Sequence, residues 1–190
     1  FRQIPDLHAL AEYSMLLDQG LRDRALELLD EFLQSITQKS TQTLRQNVVA
    51  LLELDSRLSW AHKLINHPLL TRLIFPVLEN WLRSDPTALK PLRWLGLMKH
   101  NVAALEGVLE QAPWDVPVRE RLINYALDTA DYAMHHFPEL VLLTSIEQAR
   151  ESVASARRLI DSAPDAEPFS FWKSEIDSLE NQLNDWERQG

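Results

Sequence analysis

The residues with the most chemistry in the least chain are Asp128, Asp131, Tyr132, His135 and His136. Asp131 and His135 are four apart and Asp128 lies one turn earlier, so a helix would put all three on one face. A carboxylate and an imidazole at that spacing can share a metal, or the carboxylate can orient the imidazole for proton transfer. The competing reading is structural: imidazoles at a helix C-terminus meet the negative end of the macrodipole. A metal needs three or four ligands and this stretch supplies two or three, while the Glu-x-x-His pairs of di-iron bundles are absent. The structural reading is therefore the expectation. Asp128, Asp131, His135 and His136 stand as the metal candidates, with no catalytic residue and no cofactor assigned.

A second pattern is Arg followed by His after four to six residues, as the all-helical HEPN ribonucleases use at the scissile phosphate. Arg2 with His8, Arg57 with His62 and Arg93 with His100 match it. With 14 Arg and 6 His in 190 residues, about one such match arises by chance. Leu58 also follows Arg57, where that family usually has a polar residue. The pattern assigns no activity.

The third is a basic middle. Residues 57–100 carry 7 basic and 2 acidic side chains, net +5, with His62, His67 and His100 besides. The flanks are acidic, −4 over residues 1–56 and −10 over 101–190, and the whole chain is −9. Arg57, Lys63, Arg72, Arg83 and Arg93, interleaved with Trp60, Trp81 and Trp94, have the makeup of a single-strand nucleic-acid surface. An acidic remainder repels a polyanion, which argues against nucleic acid. Arg57, Lys63, Arg72, Arg83, Arg93 and Trp94 are instead expected to face a protein or peptide partner, or to neutralise the acidic flanks.

Other machinery is missing. There is no Cys and only 4 Gly in 190 residues, which removes disulfide scaffolds, zinc–cysteine sites and thiol nucleophiles. No G-x-S-x-G, Walker loop, H-E-x-x-H or EF-hand loop occurs. The pairs Glu147/Glu151 and Asp177/Glu180 sit at helical spacing on polar faces and read as solvated surface. An enzyme is thus the less favoured expectation. No apolar run reaches the ~18–20 residues of a membrane span, no basic-then-apolar leader opens the chain, and the cytoplasm is the expected location. The chain opens on Phe1 rather than Met, and whether residues precede it is left open.

The elements that must carry these residues are helices throughout, since the apolar positions recur with a 3.6-residue period and nowhere alternate as in a strand. The spacing predicts a helix from Asp6 as N-cap to Asp18, and Gly20 at a left-handed turn. A second helix over 21–37 faces Leu21, Ala25, Leu28, Leu29, Phe32 and Ile36 inward. Helices follow at about 42–54 and 57–65, then a strongly apolar one over 69–83 whose Pro76 predicts a kink or break. Ser84-Asp85-Pro86 and Pro91 mark the next starts. Short helices over 91–100 and 102–111 join at Asn101, and a long one runs from Asp115 to about His136.

The end differs in texture. Ile146, Ala149, Val153, Ala156 and Ile160, then Trp172, Ile176, Leu179, Leu183 and Trp186, recur at alternating threes and fours. Such narrow seams predict an antiparallel hairpin over 145–188, joined at loop 163–168, with helices of roughly 28 Å. Two heptads are too few to stand alone, so it should dock on the rest or act as a dimer arm. The expected whole is one all-α domain of about nine or ten helices: stacked antiparallel hairpins over 1–138, then that terminal hairpin. The oligomeric state is left open.

Ala9–Phe32 resembles a tetratricopeptide unit: Gly20 falls at the turn and Ala25 at the close-packing position five residues on. Phe32 stands where that family has a small residue, and the tryptophan of its first helix is absent. Residues 119–138 resemble such a unit more loosely, with no 34-residue period between the two. The stretch Leu92-Arg-Trp-Leu-Gly-Leu97 through Asp131-Tyr-Ala-Met-His-His-Phe-Pro138 is similar to an uncharacterised bacterial all-helical family. The resemblance implies a degenerate helical-repeat fold whose grooves receive proteins, and implies no activity. An acidic inhibitor of a basic toxin, and a metal-dependent enzyme at Asp131 and His135, are the alternatives.

Overall fold

In the computed structural model residues 5–58, 65–135 and 146–189 are described. Among them the chain is all-α, with nine helices, no strand, and neighbours packed in adjacent pairs. No described helix is long and apolar enough to cross a membrane. Two compact units divide the chain, Phe1–Leu95 and Gly96–Gly190.

The first unit opens with a 3-10 turn, Pro5–Leu7, then α1 (His8–Asp18) and α2 (Arg22–Thr37). Gly20 takes φ +75°, the left-handed turn expected of it, and the two helices pack as a hairpin. Leu10, Tyr13 and Leu16 on α1 and Ala25, Leu29, Phe32 and Ile36 on α2 are buried. Each large apolar side chain so removed from water contributes about 1.5–3 kcal/mol. Two details differ from expectation. Asp6 does not cap α1: it lies in the 3-10 turn, and its carboxylate accepts from Asn47 Nδ2 (3.0 Å) and pairs with Lys39 (3.2 Å). Leu21 is the residue before α2 and is 41% exposed, because the helix begins at Arg22 and its inward stripe only at Ala25.

Helix α3 (Thr41–Ser56) starts at Ser40, whose hydroxyl accepts from Thr43 N at 3.1 Å. It buries Val48, Val49, Leu51 and Leu52. Arg57 is its C-cap rather than the start of another helix. Residues 59–64, with Trp60, His62 and Lys63, lie outside the described residues, and Ile65 is not helical. Helix α4 spans 67–84 in three continuous parts: His67–Leu69, a π segment Leu70–Ile74, and Phe75–Ser84. The expected break at Pro76 is replaced by this widened turn. Phe75 N bonds to Leu70 O, five residues back, and the π geometry takes up the missing donor and the ring at Pro76 without ending the helix. Leu69, Leu73, Ile74 and Leu78 are buried, and α4 packs on α3.

A polar tie joins α1 to the start of α4. The Tyr13 hydroxyl donates to Asn66 Oδ1 at 2.7 Å, and the same oxygen caps α4 by accepting from Leu69 N at 3.2 Å. Burial pushes the phenol's pKa up from its ordinary 10.0. The fold therefore holds the neutral phenol where the unfolded chain would ionise, so stability falls as pH rises through about 10. Tyr13→Phe is expected to cost about 1 kcal/mol at neutral pH and to flatten that alkaline slope. Urea denaturation at pH 7 and pH 10.5 checks both; an unchanged slope would contradict the assignment.

Helix α5 (Leu89–Lys99) contains the border between the units. Before it, Asp85 Oδ1 accepts from Thr87 N and Oγ1, and Pro91 sits in its first turn. His100, just beyond the helix, takes φ +55°.

In the second unit α6 (Val102–Gln111) is capped by Asn101, whose Oδ1 accepts from Ala104 N at 3.1 Å. Gly96 lets Leu105 approach closely: a Cβ there would meet Leu105 Cδ2 at 2.8 Å. Helix α7 (Val116–His135) is capped by Asp115, and α8 (Ile146–Asp161) and α9 (Ser170–Gln189) form the terminal hairpin. The predicted seams are buried at Ala149, Val153, Ala156 and Ile160 against Ile176, Leu179 and Leu183, with Trp172 partly buried beside them. The Trp186 side chain lies outside the described residues. Ile123, Leu127 and Ala130 of α7 belong to the same core, so the hairpin docks on α7 and the expected border at 138–145 falls inside this unit.

Candidate functional site

The carboxylate–imidazole stretch is on α7. That helix buries Ile123, Leu127 and Ala130, whereas Asp128, Asp131 and Tyr132 lie on its exposed face. His135 is the last residue of the helix and its side chain lies outside the described residues, as does all of His136. Among the described residues no three carboxylate or imidazole groups are placed to hold a metal.

The basic residues are spread and engaged differently. Arg72 reaches Asp30 of α2 at 2.5 Å, an instance of neutralisation by the acidic flank. Arg83 donates to Asn80 Oδ1 at 3.4 Å. The Arg93 guanidinium lies over the Trp94 ring, 4.5 Å from its centroid, and Trp94 is buried. Arg57 is exposed at the end of α3, and Lys63 lies outside the described residues. Trp81 is half-buried beneath Arg45, 5.0 Å from its centroid, and Arg45 also donates to Ser84 Oγ. Trp81 and Trp94 thus pack against or beneath arginines of their own unit. Stacking on a base would have to displace those arginines.

His100 departs from the Arg-x-His pattern as well. Its Nδ1 is hydrogen-bonded to Tyr125 Oη, and the Arg121 guanidinium lies 5.9 Å from the Tyr125 ring.

Two concavities appear that no motif announced. The first is an open groove of about 410 Å³ along the α1–α2 hairpin. Ala9 and Leu28, half-buried, give it apolar surface above the buried Phe32 and Ile36; Asp6, His8, Glu31, Ser35 and Lys39 supply the polar surroundings. Hydrogen bonding from Asn47 and the Lys39 ammonium hold the Asp6 carboxyl below its usual range, so this edge carries a fixed negative charge already matched by Lys39.

The second is a recess of about 60 Å³ in the second unit, where the loop before α7 meets the loop before α9. Pro113, Trp114, Pro164, Asp165 and Phe169 line it, with Arg119 beneath. Trp114 is 70% exposed; Arg119 is 3% exposed. The Arg119 guanidinium donates to Pro113 O (2.8 Å), Ser162 Oγ (2.9 Å) and Leu159 O, the last near the C-terminus of α8. A cation there meets the negative end of the α8 dipole. Burial pushes its pKa down, yet a guanidinium stays protonated in proteins. The sequence signal was Pro113-Trp114-Asp115, a tryptophan in a turn rather than on an apolar stripe.

On the polar side of the hairpin, Arg157 of α8 clamps α9 by donating to Glu180 (2.9 Å) and Asp177 (2.6 Å), and these bonds hold it more firmly charged. Asp177 is exposed and Glu180 partly so, as expected of solvated surface, and both are bridged by Arg157 as well. Comparison with family models, with curated proteins and with solved structures returns no match for this chain.

Proposed function

We propose that this chain is a non-enzymatic protein-interaction module, a scaffold or adaptor of the bacterial cytoplasm whose partner is a protein or peptide. The observation that supports it is the groove of the first unit. It joins the half-buried apolar side chains of Ala9 and Leu28, over a floor of buried Phe32 and Ile36, to a polar rim, an arrangement suited to an apolar side chain flanked by polar backbone. At about 410 Å³ it is near the low end of ligand pockets, large enough for one or two side chains of a docking segment. Glu31 makes no ion pair among the described residues, so a basic group beside that apolar side chain would complete the fit.

The test is affinity purification from the source organism with the wild-type chain and with the double variant Glu31→Arg, Ser35→Arg. Both positions are exposed, so the fold should persist. A stoichiometric protein partner is expected with the wild type, and at least about tenfold weaker capture with the variant. Measurable turnover without a partner would overturn the reading.

A second reading has its own observation. The net charge of −10 over residues 101–190 suits capture of a cationic protein, as in an inhibitor of a basic toxin. It requires an affinity that falls steeply with added salt, which the groove reading does not.

A further inference from the structure

We propose that the recess between the loop before α7 and the loop before α9 is a docking point for a lysine or arginine side chain of a protein partner. The proposal rests on the reading of this chain as a protein-binding module and names a second, separate contact on it. Three observations carry it. Trp114 is 70% exposed at the mouth, where an aromatic face in water attracts a cation. Asp165 stands beside it on the rim, exposed, and its Oδ1 accepts from Glu167 N at 3.0 Å, which fixes the carboxylate in place. Finally, Asp161 at the end of α8 and Glu167 in the turn before α9, both exposed, extend a negative field within a half-chain that is −10 overall.

The shape agrees with the charge. A recess of about 60 Å³ holds several water-sized groups, the scale of an aliphatic stem rather than of a metabolite. Pro113, Val116 and Pro164, above the buried Phe169, would take the stem while the cationic head stays at the rim between Trp114 and Asp165. Arg119 beneath does not oppose this, because its guanidinium is committed to Pro113 O, Ser162 Oγ and Leu159 O. An anionic or purely apolar occupant would leave the rim carboxylate facing a like charge or a dry methyl group.

The test uses the full chain, a short peptide of alternating lysine and glycine, and the same peptide with norleucine in place of lysine. Calorimetry should show binding of the lysine peptide and at least about tenfold weaker binding of the norleucine peptide. Amide and indole NMR shifts should map the lysine peptide to Trp114 and residues 165–167. Trp114→Ala, at an exposed position, should weaken it about tenfold, and Trp114→Phe should retain most of the affinity. No binding, equal binding of both peptides, shifts centred elsewhere, or indifference to Trp114→Ala would each overturn the proposal. Partner capture that depends on Glu31 and Ser35 would survive that outcome, so failure of the recess is separable from failure of the proposed function.

Discussion

Replacing Arg119 by methionine is expected to destabilise the chain by about 3 kcal/mol, far more than a typical surface change. Removing a buried ion can be neutral when its partners leave with it, since the desolvation cost of the charge disappears. Here the partners stay. Pro113 O and Leu159 O, on half-buried residues, lose their shared donor, while Ser162 Oγ, on an exposed residue, can turn to water. Each orphaned buried acceptor costs about 1–3 kcal/mol, which exceeds the gain from losing the buried charge. Arg119→Lys keeps the charge but replaces a planar fork by a point, so it should lose about half as much. Urea denaturation of the three proteins checks the order. Equal stability of wild type and Arg119→Met would mean that the guanidinium contributes nothing net.

The fold class was legible because burial dictates period, and the period of 3.6 runs through nearly every segment. Boundaries were less so. Asp6 has the right residue type for a cap, but the carboxylate is drawn to Asn47 and Lys39, partners 41 and 33 positions away that no local rule can see. Pro76 reads locally as a helix breaker. The apolar run on both sides of it gains more from staying buried against α3 than from breaking, and one π turn settles the conflict. The hairpin seams were legible at Ala149, Val153, Ala156, Ile160, Ile176, Leu179 and Leu183, all buried, because alternate threes and fours leave little choice of face.

The site was harder to read because sequence patterns report spacing and not convergence. Asp128 and Asp131 share a face, as their spacing requires, but it is the exposed face of α7. The basic run 57–100 looked like one surface and resolves into separate engagements: Arg72 with Asp30, Arg83 with Asn80, Arg93 with Trp94. What carries the functional reading instead, the groove along α1 and α2 and the exposed Trp114, arises where loops or helix faces meet. Such features leave little in a sequence pattern beyond a residue out of place, here a tryptophan in a turn.

Ile123→Ala should be the most informative change in the second unit. Ile123 is fully buried on α7 and belongs to the core that the seams of α8 and α9 form. Truncating a buried isoleucine to alanine removes three methyl or methylene groups and leaves a partly collapsed cavity, a loss of about 2–5 kcal/mol. Hydrogen exchange locates that loss. If the hairpin draws its stability from α7, amides across 149–160 and 176–183 should lose protection together with those of α7, since two heptads cannot hold the seam by themselves. If the hairpin were an independent arm awaiting a second copy of the chain, its amides would keep their protection while only α7 loosened. The shared burial of Ile123, Leu127 and Ala130 with Val153 and Ile176 argues for the first result, because in one chain α7 already occupies the face that a dimer arm would need free.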